Sequence, residues 1–291
     1  MRRCLRRRRL GGGEARRGGA GGSGGKTSQT EEDMTATRAV ATSRCYAYEG
    51  EEFLWHVRRA LAVWQEVRRY YERSVRRALG DVGVDLVEYA IASHDLGKLA
   101  DSYQKGDRFR YRPEVVSAYL AYRGLEGLGE GVRLAVAAAV LLHHEPIILS
   151  TYVAKPGERY LPVYVLRKVL EKVDLAFTCD VDLQFFQRYG KLHEVLNGWR
   201  AGGIKPADVL EVLKKVLVYV SVGEPSRTHV ARAKIAALLH PLVVSDSIAA
   251  HLCRGGGGTV VSNAALNGAE LVNEGDMRKK LEKEKLGCSH G

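Results

Sequence analysis

The sequence predicts an all-α domain over residues 45–252, flanked by two tails of low sequence complexity. Apolar residues recur at three- and four-residue steps through most of this span, which is the spacing of one helix face. Strand-like alternation is scarce, and only residues 147–153 and 216–222 are ambiguous. Glycine and proline stand where two of the predicted helices end, as expected for residues that stop a helix.

The predicted helices follow one another along the chain. The first begins near Phe53 and continues to Val67. The second covers residues 84–96, and Gly97 is placed to end it in a left-handed turn. A third stops before Pro146, because proline has no N–H with which to continue a helix. The third to sixth helices are predicted at residues 132–142, 163–177, 207–222 and 235–252.

Both tails are predicted to stay outside the folded domain. Residues 1–40 are rich in arginine and glycine and cannot bury enough apolar surface to fold, so we expect disorder there. Met34 lies just before the first foldable residues and is an alternative start. The phosphate-loop-like pattern at residues 20–27 lacks a preceding strand and a following helix, so we do not expect it to bind phosphate. Residues 253–291 are predicted to be a flexible tail, glycine-rich and then charged, with a short exposed helix or no structure in the charged stretch.

Composition indicates a soluble, basic protein. Residues 1–33 carry nine basic and four acidic side chains, a net +5, so about +6 of the total +11 lies in the rest of the chain. This balance fits either a polyanionic partner such as nucleic acid or an ordinary solvated surface. No run approaches the roughly 18 apolar residues that span a membrane, so no membrane association is expected.

Cysteine usage favours a reducing compartment. The chain has five cysteines, an odd number, and none of them form a CxxC pair. We therefore expect a cytoplasmic protein without a zinc site built from cysteine.

The most informative residues are the adjacent pair His94 and Asp95, at the end of the second predicted helix. A neutral imidazole and a carboxylate at adjacent positions can share one metal ion, or the carboxylate can bridge two. Lys98 follows about one helical turn after His94 and could hold a substrate phosphate. The alternative is structural, with His94 at the surface of a helix end and Asp95 in a salt bridge to Lys98.

Four further residues could complete a metal site. His143 and His144 close an apolar helix, where two adjacent imidazoles are costly to bury without partners. Asp246 lies in an apolar helix and would need a charged or metal partner if buried, although it could instead cap a helix. His56 lies between apolar positions of the first helix, where a histidine is more often a structural core residue than a ligand.

Taken together, these residues resemble the HD-domain superfamily, whose ligands follow the order His, His-Asp, His residues and a late Asp. The chain is similar in particular to the CRISPR-associated HD nucleases of type I systems, in their stand-alone archaeal form. The resemblance covers about residues 45–252. It is carried by Leu54-Trp55-His56, His94-Asp95-Leu96-Gly97-Lys98, Glu114-Val-Val-Ser-Ala-Tyr-Leu-Ala, Leu142-His143-His144 and Ser245-Asp246-Ser-Ile-Ala-Ala.

The resemblance implies an HD-domain helical bundle that hydrolyses phosphodiester bonds with one or two divalent ions, of Mn, Mg, Co, Ni or Fe. Asp95 would bridge two ions. His56, His94 and Asp246 would complete the first site, and His143 and His144 would belong to the second. Lys98 would neutralise charge on the scissile phosphate.

One position departs from this family. Its members usually carry a further histidine directly before the glutamate that opens the Ser-Ala helix, and Pro113 stands there in this chain. Because proline cannot coordinate a metal, three outcomes remain. Glu114 or Tyr111 takes its place, the second ion binds weakly, or the site works with one ion.

The same resemblance implies the substrate and the partners. The substrate would be single-stranded DNA displaced by an RNA-guided surveillance complex, with a separate helicase subunit feeding the strand. The loop after the His-Asp helix interleaves aromatic and basic residues that could hold such a strand, or it is an ordinary solvated loop. These residues are Tyr103, Lys105, Arg108, Phe109, Arg110, Tyr111 and Arg112.

Two other functions remain open from the sequence. The first is an HD-type phosphohydrolase that acts on nucleotides or cyclic nucleotides through the same metal site. The second is a catalytically weak subunit that only binds DNA or scaffolds a complex, for which Pro113 is the one argument. Few Asn, Gln and Met residues beside many Arg and Glu also hint at a thermophile.

Overall fold

The computed structural model describes residues 43–106, 112–144, 167–221, 224–254, 260–263, 266 and 271–287. Within these ranges the chain forms ten α-helices and one two-stranded sheet, which confirms the predicted all-α bundle. The disorder expected for residues 1–40 and the ambiguous segment at residues 147–153 lie outside the described residues.

A short hairpin leads into the first helix. Strand β1 (Tyr46–Tyr48) pairs antiparallel with β2 (Glu51–Glu52), and α1 (Phe53–Leu79) follows directly. The helix predicted from Phe53 is confirmed and continues past Val67, ending at Gly80, whose φ of +79° favours glycine. The first half of α1 buries its apolar face in the core, including Phe53 and Trp64.

The second predicted helix is confirmed as α2 (Leu86–Ser93), and its start is capped by Asp85, which accepts hydrogen bonds from two backbone amides. The predicted left-handed turn at Gly97 is wrong. Gly97 lies within a 3₁₀ helix (Leu96–Leu99), and glycine is needed for a different reason. A Cβ atom at this position would lie 2.0 Å from the carbonyl oxygen of Pro113, which begins the helix packed against this turn.

Six further helices follow along the chain. These are α3 (Asp101–Gln104), α4 (Pro113–Gly124), α5 (Glu130–Leu142), α6 (Leu192–Gly202), α7 (Pro206–Ser221) and α8 (Pro225–Arg254), of which α3 is a single turn. Helix α8 packs along α1 and also against α2, α5 and α7, while α4 packs against α5. The helices predicted at residues 132–142, 207–222 and 235–252 are confirmed in α5, α7 and α8, and residues 216–221 are helical rather than strand.

The helix predicted at residues 163–177 is mostly wrong. Residues 167–170 form a single helical turn, and the described chain beyond it has no regular structure up to residue 177. The reason is a set of tertiary hydrogen bonds, because this segment lies beside the start of α3. The Ser102 amide donates to the Asp174 carbonyl, the Ser102 hydroxyl accepts from the Asp174 amide, and the Asp101 amide donates to the Ala176 carbonyl.

The C-terminal part of the chain contains helices α9 (Val260–Asn263) and α10 (Glu274–Lys283). A short helix in the charged stretch was one of the two outcomes expected. This helix is not simply exposed, because Met277 and Leu281 are buried and Lys280 forms an ion pair with Glu66 of α1. The C-terminal segment therefore packs on the bundle.

One expectation from composition needs correction. Cys45 and Cys179 form a disulfide, and Cys253 is also disulfide-bonded, so the cysteines are not the free thiols expected of a reducing compartment. Scattered spacing does not exclude pairing, because folding brings residues 134 positions apart into contact. Residues 226–253 also form a helix long and apolar enough to cross a membrane by length and composition. Since 56% of that window is buried inside the protein, it has the profile of a core helix.

Candidate metal centre

All six predicted metal ligands converge at one place in the bundle. Their ligand atoms form three overlapping groups, and within each group the atoms lie within 4.8 Å of one another. The groups are His56, His94 and Asp246; His94, Asp95 and His143; and His143, His144 and Asp246. Shared members make this one centre rather than three separate sites.

Four helices bring these side chains together. His56 lies in the first turn of α1, and Asp246 lies in the second half of α8, which packs along α1. His94 and Asp95 directly follow the last residue of α2, and His143 directly follows the last residue of α5; His94 and His143 both keep helical backbone angles. The ligands thus come from packed helix ends and helix faces, which are rigid supports.

Each buried histidine is oriented by a hydrogen bond at Nδ1. His94 Nδ1 donates to the Ile91 carbonyl at 2.7 Å, and His143 Nδ1 donates to the Val140 carbonyl at 2.6 Å. His56 Nδ1 donates instead to the Glu51 carboxylate at 3.1 Å. A partner at Nδ1 fixes the ring and directs Nε2 toward the centre, as is usual for histidines that bind metals.

The Nε2 atoms lie close to two carboxylates. His56 Nε2 is 3.1 Å from Asp246 Oδ1 and 3.5 Å from Asp95 Oδ2, and His94 Nε2 is 3.3 Å from Asp95 Oδ2. His143 Nε2 lies 3.8 Å from the other oxygen of Asp95, Oδ1. Asp95 therefore presents one oxygen to His56 and His94 and the other to His143, the arrangement expected of a bridging carboxylate.

The donor set fits a divalent transition metal. His56, His94 and His143 each have a fully buried Nε2 that makes no hydrogen bond within the described structure. Leaving a buried imidazole nitrogen without a partner is costly, and a bound cation removes that cost. Ligand atoms each about 2.1 Å from one ion lie roughly 3–3.5 Å apart, which agrees with most of these separations.

The carboxylates stay ionised despite burial. Burial raises the pKa of Asp95, but the neighbouring charges of His94 and Lys98 outweigh it and hold that pKa well below its usual value. Burial also raises the pKa of Asp246, but contacts with His56 and His94 outweigh it and keep that pKa well below the usual range. Two buried negative charges need balancing cations.

The pKa values of His56 and His94 shift upward, opposite to those of the carboxylates. Burial lowers the pKa of His94, but Asp95 and Asp246 outweigh it and raise the pKa to about 10. The pKa of His56 is also raised, because Asp246 and Glu51 together outweigh its burial. Protonated rings and a divalent ion are thus two alternative ways to balance the same carboxylates.

Lys98 is part of the centre. Its Nζ lies 2.6 Å from Asp95 Oδ2, and its side chain is 11% exposed. Burial lowers the pKa of Lys98, but Asp95 outweighs it and raises the pKa, so the ammonium stays charged. The structural alternative predicted a salt bridge between Asp95 and Lys98, and that salt bridge exists alongside the histidine cluster.

His144 is the most open of the four histidines. Its ring lies 4.0 Å from that of His143, centroid to centroid. The charge of His143 and burial together lower the pKa of His144 to about 3. A neutral imidazole has a lone pair available for a metal ion at physiological pH.

The departure at Pro113 lies next to the centre. Pro113 is buried at the start of α4, and its carbonyl contacts the Gly97 backbone two residues after Asp95. Glu114 is also buried, and its Oε2 makes no hydrogen bond within the described residues. Glu114 is nevertheless absent from the three described ligand groups. Tyr111, the other predicted substitute, lies outside the described residues.

The predicted basic loop is described only in part. Lys105 is at the surface, where its ammonium pairs with Asp101 at 2.9 Å and with Asp174 at 3.1 Å. Tyr103 is buried and donates its hydroxyl proton to the Ala47 carbonyl, so its predicted role as an exposed stacking platform is wrong. Arg108, Phe109, Arg110 and Tyr111 lie outside the described residues.

Two residues of this centre escaped the sequence analysis. Glu51 accepts the hydrogen bond from His56, and Arg59 Nη1 donates to the same Glu51 oxygen at 2.9 Å. A pair of glutamates before a helix suggests a solvated helix start, so no local pattern marks Glu51. Arg59 follows His56 by three positions and therefore lies on the same face of α1. This spacing alone is only a weak indication that the two side chains share a site.

Three curated proteins are similar in sequence, and each is named CRISPR-associated endonuclease Cas3-HD. The one from Thermoproteus tenax is 37% identical over 224 residues, covering 76% of this chain and 95% of that protein. The one from Pyrococcus furiosus is 33% identical over 140 residues, covering 43% of this chain and 59% of that protein. The one from Methanocaldococcus jannaschii is 28% identical over 144 residues, covering 44% and 59%. No family model matches the chain.

Proposed function

The chain belongs to the Cas3-HD family of CRISPR-associated endonucleases, and from that premise we propose that it cleaves single-stranded DNA with divalent ions held by its histidine–aspartate centre. The resemblance drawn from the sequence is therefore confirmed at the level of a CRISPR nuclease. The substrate strand, the ions and the partners go beyond the family name and are argued below.

One observation carries the metal dependence. Three buried imidazole nitrogens and two ionised carboxylates converge on one small volume, with separations of 3.1–3.8 Å that suit a shared cation. Mixed imidazole and carboxylate ligands favour borderline ions such as Mn, Fe, Co or Ni, with Mg a weaker match. In the proposed centre His56, His94 and Asp246 would hold one ion, His143 and His144 would hold a second, and Asp95 would serve both.

The side chains of the centre would divide the work of hydrolysis. When bound, the ions supply a polarised phosphoryl oxygen and a water of lowered pKa. Asp246 is 14% exposed and His144 is only partly buried, so the substrate phosphate would approach from their side. Lys98, cationic and hydrogen-bonded to Asp95, lies where its ammonium can offset negative charge that develops on the phosphate.

We propose that the protein acts in type I CRISPR interference in the cytoplasm. A separate helicase subunit and an RNA-guided surveillance complex would present the displaced strand. The resemblance to stand-alone archaeal HD subunits and the names of the relatives support this context. The disulfide is compatible with such a location in a hyperthermophile, because intracellular proteins of hyperthermophilic archaea are often disulfide-rich.

Cleavage of circular single-stranded DNA tests the proposal. The purified protein is incubated with the circle and with manganese, magnesium or chelator, beside Asp95→Ala and the control Asp208→Ala on the exposed surface of α7. We expect ion-dependent linearisation by the wild type and Asp208→Ala, and a loss of about a thousandfold or more in Asp95→Ala.

The same incubations, repeated with cyclic nucleotides beside the circle, separate the alternatives. Hydrolysis of cyclic nucleotides with intact circles would support a nucleotide phosphohydrolase and contradict our proposal. Binding of DNA without cutting under any ion would support the scaffold alternative.

A further inference from the structure

Glu51 connects a metal ligand to a buried arginine. Its Oε1 atom accepts hydrogen bonds from His56 Nδ1 at 3.1 Å and from Arg59 Nη1 at 2.9 Å. All three side chains are buried, with relative exposures of 8% for Glu51, 0% for His56 and 3% for Arg59. A buried carboxylate on the outer nitrogen of an imidazole fixes the ring and raises its basicity toward a metal.

This support differs from that of the other histidines. His94 and His143 donate to backbone carbonyls three residues earlier, within their own helices. His56 instead depends on a side chain from the hairpin that precedes α1. A side chain can move unless something else holds it, so the position of His56 depends on what anchors Glu51.

Arg59 supplies that anchor and is itself held by the C-terminal segment. Arg59 Nε donates to the Leu286 carbonyl at 2.7 Å, and Nη2 donates to the Gly287 carbonyl at 3.3 Å. These two residues follow α10, which is fixed on the bundle by buried Met277 and Leu281. A continuous set of contacts therefore runs from the C-terminal segment through Arg59 and Glu51 to His56.

We propose that Glu51 is a positioning residue for the metal ligand His56, anchored by Arg59 and, through it, by the packed C-terminal segment. The proposal rests on the metal centre proposed above. It assigns the C-terminal segment a function, because its docking holds a ligand of the centre in place. Loss of these contacts would leave the other ligands intact and lower the affinity for metal.

Paired substitution separates positioning from folding. Replacing one member alone would leave a buried charge without its partner and could unfold the protein. The double variant Glu51→Leu/Arg59→Leu removes both charges and keeps apolar volume. Tyr89→Phe is the control, since it removes one buried hydrogen bond, from the hydroxyl to the Ala121 carbonyl, away from the ligands.

The readouts are manganese affinity by calorimetry, the absorption spectrum of bound cobalt, and the melting temperature in chelator. We expect a loss of manganese affinity of about 10- to 100-fold in the double variant, with an altered cobalt spectrum and a folded protein. Glu51→Gln keeps an acceptor oxygen for His56 but loses the charge that balances Arg59, so its loss of affinity should be smaller than that of the double variant. Tyr89→Phe should keep both affinity and spectrum.

A further variant tests the C-terminal segment in the full chain. Met277→Asp/Leu281→Asp should release α10 and lower manganese affinity, and it should have no further effect when combined with Glu51→Leu/Arg59→Leu. Wild-type affinity and spectrum in the folded Glu51→Leu/Arg59→Leu variant would overturn this proposal alone. A wild-type protein that binds no divalent ion would overturn the metal centre and this proposal together.

Discussion

His94 and His143 meet edge to face across Asp95, with ring centroids 5.1 Å apart and planes at 84°. Each ring addresses a different oxygen of that carboxylate, although the two histidines come from different helices and lie far apart in sequence. Asp95 is therefore the residue that links the histidines at the ends of α2 and α5.

Gly97 should be intolerant of any side chain. In Gly97→Ala the new Cβ would meet the Pro113 carbonyl at 2.0 Å, so the turn behind Asp95 has to move away from α4. We expect a loss of about 3 kcal/mol of stability and a fall in melting temperature of roughly 6–12 °C. Gly198→Ala is the control, because its Cβ would meet nothing within 4 Å in α6. An unchanged melting temperature in Gly97→Ala would contradict this close packing.

Metal affinity should rise with pH. The pKa of His94 is raised to about 10, mainly by Asp95 and Asp246, so its ring carries a proton at neutral pH when no metal is bound, and the pKa of His56 is shifted in the same direction. A divalent ion must displace such a proton, and displacement becomes easier as pH increases. We expect affinity for manganese to increase about tenfold or more per pH unit between about pH 6 and 8, since one or more protons are released. Calorimetry in buffers of different ionisation enthalpy counts the protons, and a flat profile would refute the assignment.

Pro113 should limit the second ion. We expect one tight and one weaker manganese ion in the wild type, and Pro113→His should tighten the weaker one by about tenfold, roughly 1.4 kcal/mol. The substitution adds an imidazole beside the turn that carries Asp95 and keeps the start of α4. Binding isotherms of Pro113→His and the control Pro113→Ala would decide this. Equal isotherms for Pro113→His and Pro113→Ala would show that the metal centre does not lack a ligand at position 113.

The disulfide between Cys45 and Cys179 should stabilise the fold. It closes a long loop and ties the hairpin that carries Glu51 to the segment beside α3. Removing it in Cys45→Ser/Cys179→Ser should cost about 2–5 kcal/mol, measured by denaturant unfolding. A double variant as stable as the wild type would show that the noncovalent contacts between the hairpin and the segment beside α3 hold the two together without the disulfide.

Five of the six proposed ligands could be predicted because their chemistry is local, whereas His56 is implied only by the resemblance to the family. An adjacent His-Asp pair and an adjacent His-His pair at the ends of apolar helices are conspicuous, and Asp246 stands out in an apolar helix. The supporting residues could not be predicted in this way. Glu51 and Arg59 look like surface charges until packing of the hairpin, α1 and the C-terminal segment buries them.

The same distinction explains the errors in the fold. Helices α1, α2, α5, α7 and α8 follow from periodicity, because their apolar faces decide their structure. The sequence of residues 163–177 has helical spacing, but residues 171–177 are held in an irregular form by hydrogen bonds to Ser102 and Asp101. Gly97 and the cysteine pair depend on residues distant in sequence, which no local pattern records.

Diffraction from crystals soaked in manganese, with anomalous data, tests the central claim most directly. We predict an anomalous peak bounded by His56, His94, Asp95 and Asp246, and a second, weaker peak near His143 and His144. Both peaks should be absent in Asp95→Ala. Manganese bound elsewhere, with these side chains unchanged and without density between them, would contradict the metal centre and the nuclease mechanism built on it.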